Sequence, residues 1–172
     1  SLILTAWGGF MEKKKPIEII TPPNVLKAKL GGPLNINSAE AIARAERALE
    51  NLSHEFQDWL DEEIGRVEAA WEQSKNLTDR ENQLTSVYGA SHDLKGLATT
   101  YGYPLITRYA NSLCKLLGTE EARAKAPAQL IEAHVKACRT AMRQNIKAPD
   151  HPIGVALAVE LETQISEYVE AE

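Results

Sequence analysis

Apolar side chains three and four residues apart dominate this sequence from about position 38 onward. Such spacing places apolar groups along one side of an α-helix. In the first of these apolar patterns the spacing shifts by one position after Trp59 and then continues. The predicted helix therefore runs to about Lys75 and would be about 57 Å long at 1.5 Å per residue. We expect Trp59 and Trp71 to lie in the core. The members of the pattern are Ile42, Ala45, Leu49, Leu52, Phe56, Trp59, Leu60, Ile64, Val67 and Trp71.

Helix caps and helix breakers divide the rest of the sequence into shorter helices. Asn37 with Glu40 resembles a capping box before the long helix, and Thr78 with Glu81 resembles a second one. The helix after Thr78 is expected to run to about Tyr101. Short loops between amphipathic helices favour antiparallel packing, so the sequence predicts an all-α antiparallel four-helix bundle with an additional long N-terminal helix. Five helices are expected, beginning near Asn37, Thr78, Pro104, Pro127 and His151, with His151 as a cap.

Residues 1–37 differ from the helical region, residues 38–172, because prolines and glycines interrupt them repeatedly. The segments 17–20 and 25–30 would pair as two short strands, and the alternatives are an ordered arm on the bundle or an unstructured tail. Met11 would serve as a natural start, which would make residues 1–10 an artificial or upstream extension. We therefore predict a non-helical N-terminal arm, 1–37, followed by one helical domain.

Composition narrows the class of protein. The 172 residues carry a formal net charge of -5, and no basic patch indicates a nucleic-acid partner. Residues 1–10 are apolar but too short for a membrane span, and no basic segment precedes them. Cys114 and Cys138 both lie in helical patterns, which favours a reducing compartment over a disulfide framework. A cytoplasmic protein without membrane contact is expected.

One histidine lies off the apolar side of its helix. At 100° per residue, His92 projects about 130° from the centre of the apolar stripe that contains Leu84, Val87 and Leu94, so it should be exposed. A glycine within a helix lowers stability by about 1 kcal/mol relative to alanine. Gly89 and Gly96 lie on the same face as His92 and would allow the backbone of another protein to approach closely. A nucleophile, a cation one turn away and an open surface suit phosphoryl transfer. The neighbours on this face are Tyr88, Gly89, Lys95, Gly96 and Thr99.

The run His92-Asp93-Leu94-Lys95-Gly96, with Gly102 six residues further on, resembles the signature of histidine phosphotransfer (HPt) domains. The resemblance covers about residues 38–171. It implies that the histidine is phosphorylated on a ring nitrogen, that the lysine stabilises the phosphoryl charge, and that the glycine leaves room for a receiver domain. It also implies a phosphocarrier of a two-component phosphorelay, with response-regulator receivers and a hybrid histidine kinase as partners.

The resemblance further implies that His92 exchanges the phosphoryl group with receiver aspartates. The receiver would supply Mg²⁺, so no cofactor of this chain's own is expected. No glycine-rich nucleotide loop occurs, so the chain is expected not to be a kinase. Tyr88, Gly89, Gly96 and Thr99 would contact the receiver, and Tyr103, which has a direction close to that of His92, would join them.

One position departs from the family pattern. Many HPt domains place a glutamine or an acidic residue about twenty-two positions after the histidine, where it hydrogen-bonds the ring. Here Cys114 occupies that position, and a thiol is a poor acceptor. Asn111, one turn earlier, would orient the ring instead, or water or the partner would do so.

Two other interpretations stay open. A helical adaptor or scaffold would bind receivers or kinases without accepting phosphate. The long helix would either bend near Gly65 or project and contact a second copy, giving a homodimer. His134 and Cys138 have the spacing of metal ligands, but two ligands do not form a zinc site and we expect both to be structural.

Overall fold

Residues 38–76 and 78–171 are described by the computed structural model, and every regular element in these two ranges is an α-helix. The all-α prediction is therefore confirmed for this part of the chain. The predicted arm, 1–37, and its two candidate strands lie outside the described residues. The helices are α1 (Ala39–Ser74), α2 (Arg80–Leu97), α3 (Pro104–Leu116), α4 (Glu120–Lys125), α5 (Ala128–Arg143) and α6 (Pro152–Glu170).

Side-chain caps set where two of these helices begin. The chain forms two compact units, and the boundary between them follows Ile42. Within the first unit only residues 38–42 are described, and they form the start of α1. There the Ala41 N–H donates to Ser38 Oγ at 3.1 Å. The predicted cap, Asn37, lies outside the described residues. At α2 the cap is Asp79, which accepts from the Asn82 N–H, so the prediction of Thr78 was wrong by one residue.

Two later helix starts depend on the residue before the first turn. The His151 Nδ1 atom accepts from the Gly154 N–H at 3.3 Å, which confirms the predicted cap of α6. The short helix α4 was missed by the sequence prediction, so the described ranges contain six helices and not five. Its N-cap is Thr119, which accepts from the Ala122 N–H at 3.1 Å. Acidic residues in its first turn and basic residues in its last turn complement the helix dipole.

Helix α3 is the central element of the described structure, because it packs against α2, α5 and α6. Helices α2 and α4 also contact each other, as do α5 and α6. Their shared core is closed to solvent and consists mainly of branched aliphatic side chains. Its largest fully buried members include Leu84, Leu94, Ile106, Leu113, Leu117 and Ile131. Among the described helices, none has the length and apolar composition needed to cross a membrane.

The second half of α1 is tied to this core by apolar burial and by ion pairs. Leu60, Ile64, Val67 and Trp71 are buried, so the sequence prediction is confirmed for Trp71. Arg139 of α5 donates to both carboxylate oxygens of Glu68, at 2.8 and 2.7 Å, and also pairs with Asp61. The Arg139 side chain is only 16% exposed, whereas those of Glu68 and Asp61 are 35% and 58% exposed, so these contacts join α1 to α5 at the border of the core.

The part of α1 before Leu60 does not share this burial. Trp59 is 43% exposed, so its predicted core position was wrong, and Leu49 and Leu52 are also exposed. For Trp59 the reason is direction, because the adjacent Leu60 is fully buried and the two side chains project about 100° apart around the helix. Leu49 and Leu52 lie further toward the start of α1, which has 36 residues, whereas the helices that flank the core have between 13 and 19. Phe56 and Trp59 still contact the Tyr101 ring, with centroids 5.6 and 6.0 Å away.

Candidate functional site

Helix α2 carries His92 on the side opposite its buried face. The imidazole side chain is 58% exposed, which confirms the predicted exposure. Val87, Ser91 and Leu94 on the same helix are almost completely buried. The buried face fixes α2 in the core, and the exposed His92 ring on its other side is accessible to a large partner.

The imidazole of His92 has few neighbours. Its ring centroid is 6.2 Å from that of Tyr88, and Nδ1 lies 4.0 Å from Oδ1 of Asp93. Among the described residues, no side chain forms a hydrogen bond with the ring. The predicted orienting contact from Asn111 is therefore absent in this part of the chain, and both ring nitrogens stay available to solvent or to a partner.

A groove of about 360 Å³ lies beside His92, and two helices form it. Helix α2 contributes His92, Asp93, Gly96 and Leu97. Helix α1 contributes Glu63 and Arg66, which sequence reasoning missed because residues from separate helices share no spacing rule. The groove therefore places a cation from α1 on the same surface as the histidine.

The two glycines near His92 border open space. A Cβ atom added at Gly89 or at Gly96 would meet no other atom within 4 Å. Packing within the described structure thus gives no reason for glycine at either position. An open helix surface of this kind suits contact with an external molecule, and it lies directly beside the histidine.

Lys95 lies on the other side of the His92 ring, toward α3. Burial raises the pKa of the Cys114 thiol, and the positive charge of Lys95 partly opposes that shift. Lys95 is half-buried and Cys114 is buried, and the effect of the lysine on the thiol indicates that the cation lies on the α3 side of α2. The position that holds a ring-binding residue in the resembled family is therefore occupied by an inert thiol close to Lys95.

Two further predicted contact residues already have partners. The hydroxyls of Thr99 and Thr107 hydrogen-bond to each other at 2.8 Å, which links α3 to the turn after α2. Tyr88 is half-buried, and the guanidinium of Arg123 lies 5.8 Å from its ring centroid. Tyr88 contacts the His92 ring, whereas Thr99 lies in the turn after α2 with an exposed side chain.

Tyr103 is not on the face of His92, so this prediction was wrong. Its side chain is 1% exposed, and its hydroxyl donates to Oδ1 of Asn145 at 2.8 Å. Helical projection from His92 fails because α2 ends before Gly102, which has a φ of 88°. The Tyr103 N–H then donates to the Ala98 carbonyl at 2.8 Å and closes the turn. The reversal at Gly102 turns Tyr103 into the core.

A second histidine is structural. The Nδ1 atom of His134 donates to the Leu130 carbonyl at 2.7 Å, and Nε2 accepts from the Ser112 hydroxyl at 3.0 Å. The side chain is fully buried and neutral, with each nitrogen satisfied. Cys138, four residues later, is buried, and burial raises the pKa of its thiol to about 12. The described residues contain no cluster of three or more His, Cys, Asp or Glu that would hold a metal ion.

This burial makes stability depend on pH. Burial lowers the pKa of His134 below its ordinary value, so the unfolded chain binds a proton more readily than the folded one. The stabilising effect is present above about pH 6.5 and is lost as the pH falls, by up to roughly 1.4 kcal/mol per pH unit. Urea unfolding between pH 7.5 and 5 should show this loss. His134→Gln should be less stable at pH 7.5 but have a flatter profile, and an equally steep profile would contradict the assignment.

Comparison of this chain with known proteins identifies no relative. No family model, no curated protein and no solved structure matches this chain. The assignment of a function therefore depends on the geometry around His92 and on the motif that contains it.

Proposed function

We propose that this chain is a histidine phosphotransfer protein that accepts and donates a phosphoryl group on His92. The observation that carries the proposal is an exposed imidazole on an anchored helix, with Lys95 and the open surface of Gly96 beside it. The helices would form the antiparallel four-helix bundle of that family, with the first half of α1 as an extension. The protein would act in the cytoplasm, between a hybrid histidine kinase and a response regulator.

The proposed reaction is an in-line displacement between two proteins. A neutral ring nitrogen of His92 attacks the phosphorus of a receiver's aspartyl phosphate, so that an N–P bond forms while the O–P bond breaks and the carboxylate leaves. The proton on the other ring nitrogen stays there or passes to water. Lys95 would stabilise charge on the phosphoryl oxygens, and the Mg²⁺ that assists the transfer is expected to come with the receiver.

Transfer of label tests the proposal directly. A receiver domain charged with radiolabelled acetyl phosphate should pass its label to this chain. The product should be labile to acid and stable to alkali, as expected for a phosphorus–nitrogen bond. Receivers from the source organism should be tested as a complete set, because the partner is not specified by the site. Absence of label with every receiver would refute the phosphocarrier assignment.

A second candidate function is an adaptor that binds receivers or kinases without accepting phosphate. The absence of a hydrogen bond to the His92 ring among the described residues favours it. This adaptor would keep its affinity for a receiver when His92 is replaced, and no acid-labile phosphate would form at any time. Affinity measured by calorimetry, together with the labelling result, separates the two functions.

We propose that the part of α1 before Leu60 contacts a second copy of the chain and forms a homodimer. The residues spaced by three and four there match the narrow seam of a coiled coil, and Leu49, Leu52 and Trp59 are exposed. Sedimentation should show a mass that rises with protein concentration, and Leu49→Asp should keep the chain monomeric. A mass independent of concentration in the unaltered chain would exclude the dimer without affecting phosphotransfer.

A further inference from the structure

We infer that Arg66 of α1 is a second phosphoryl-binding cation of the His92 groove, with Glu63 holding it in position. The inference rests on the proposed function and adds a residue that the sequence motif does not contain. Its basis is that Glu63 and Arg66 line the same groove as His92, Asp93 and Gly96.

The two cations lie on opposite sides of the imidazole. At 100° per residue, Lys95 is about 60° from His92 around α2 in one direction, and Gly96 is about 40° away in the other. Lys95 is the side chain near Cys114 of α3, whereas the open groove beside Gly96 is bordered by Glu63 and Arg66 of α1. A phosphoryl group on His92 would therefore have a positive charge from each neighbouring side.

The guanidinium of Arg66 has N–H donors that form no hydrogen bond within the described structure. Its Nη1 donates to Oε1 of Glu63 at 2.9 Å, and no other hydrogen bond to the Arg66 side chain occurs among the described residues. A guanidinium has five N–H donors and binds phosphate oxygens in pairs. Arg66 is thus able to keep its contact with Glu63 and donate to a phosphoryl group at the same time.

The burial of the pair is uneven, which distinguishes it from an ordinary surface ion pair. The Glu63 side chain is 11% exposed, whereas that of Arg66 is 62% exposed. Pairs three residues apart on a helix surface contribute little to stability, so stability alone does not account for the pair. The sheltered carboxylate fixes one end of the guanidinium, and its exposed remainder extends along the groove.

The charges favour recruitment of Arg66 upon phosphorylation. A phosphoryl group carries between one and two negative charges near neutral pH, and charge-assisted hydrogen bonds to a guanidinium are among the strong ones in proteins. Glu63 carries a single negative charge and stays paired. Without Arg66, the same carboxylate would face the phosphoryl group unscreened and would disfavour the phosphorylated state.

The experiment uses a donor that needs no receiver. Phosphoramidate, a small molecule that phosphorylates imidazoles in solution, is added to the full chain, and the pH titration of the phosphohistidine is followed by phosphorus NMR. The His92 signal is identified as the one absent from His92→Gln. The variants are Arg66→Gln, Arg66→Lys and Glu63→Gln, with Arg47→Gln as the matched control, because Arg47 is an exposed arginine on α1 outside the groove.

Arg66→Gln should raise the second pKa of the phosphoryl group by about 0.5, because one nearby positive charge is lost. Arg66→Lys should restore most of the original value, and Glu63→Gln should shift the pKa in the opposite direction. Transfer from a receiver should fall by about tenfold in Arg66→Gln. Circular dichroism melting should confirm that each variant is folded.

An unchanged phosphoryl titration in Arg66→Gln, equal to that of Arg47→Gln, would overturn the inference. Failure of the proposed function would look different. In that case no receiver would label the chain, although phosphoramidate would still modify His92 and the titration would still report on Arg66.

Discussion

Replacing His92 with glutamine is expected to abolish transfer of label from a charged receiver to this chain. Glutamine has a similar polar character but no nucleophilic ring nitrogen, so the N–P bond cannot form. We expect a loss of at least about 100-fold, limited by the detection of label. Since the side chain is exposed and has no hydrogen bond in the described structure, the free energy of unfolding should change by no more than about 0.5 kcal/mol.

His54→Gln is the matched control for this experiment. His54 is exposed on α1 and does not line the groove beside His92, so its replacement should leave transfer unchanged. Label is followed by autoradiography after separation of the two proteins, and unfolding by urea titration. Label that persists on the His92→Gln chain would show that another residue accepts the phosphoryl group. Equal loss in both variants would point to a general effect on the protein.

Replacing Gly96 with leucine is expected to change stability and transfer in opposite directions. A side chain at this position meets no atom within 4 Å at its Cβ, and leucine favours a helix over glycine by roughly 0.5–1 kcal/mol. The free energy of unfolding should therefore rise. Transfer from a receiver should fall by about 100-fold, because a displaced partner misaligns the reacting atoms.

Phosphoramidate separates a docking defect from a chemical one. This small donor should still phosphorylate His92 in Gly96→Leu, because the ring itself is not covered by the new side chain. Ala156→Leu, an exposed alanine of α6, serves as the control and should leave receiver transfer unchanged. A Gly96→Leu chain that accepts label from the receiver at the normal rate would contradict the docking surface proposed around Gly96.

The helices and the exposure of His92 could be predicted because both depend on neighbours within a few residues. The spacing of apolar side chains determines which face of α2 is buried, and His92 lies off that face whatever the other helices do. Proline at the first turn of α3 and the cap at His151 were predicted for the same reason. One short helix, α4, was missed because six residues are too few to produce a periodic signal.

Extrapolation along the chain failed wherever a long-range contact or a reversal intervened. Trp59 and Leu60 both continue the apolar pattern of α1, yet only the placement of the other helices decides that Leu60 is buried and Trp59 is exposed. Tyr103 follows His92 in helical projection, but the positive φ at Gly102 directs it inward. The spacing of apolar residues along one helix therefore predicts neither the exposure of Trp59 nor the burial of Tyr103.

The sequence alone determined that the chain is helical from about residue 38, and that its HPt-like motif presents a histidine and a glycine on an exposed helix face. Only the tertiary structure decided which residues of α1 stand beside that histidine. Glu63 and Arg66 join the groove because α1 packs beside α2, about 30 residues away in the chain. Side-chain periodicity reports the direction of each residue from its own helix axis, whereas a groove between helices depends on how two axes are placed.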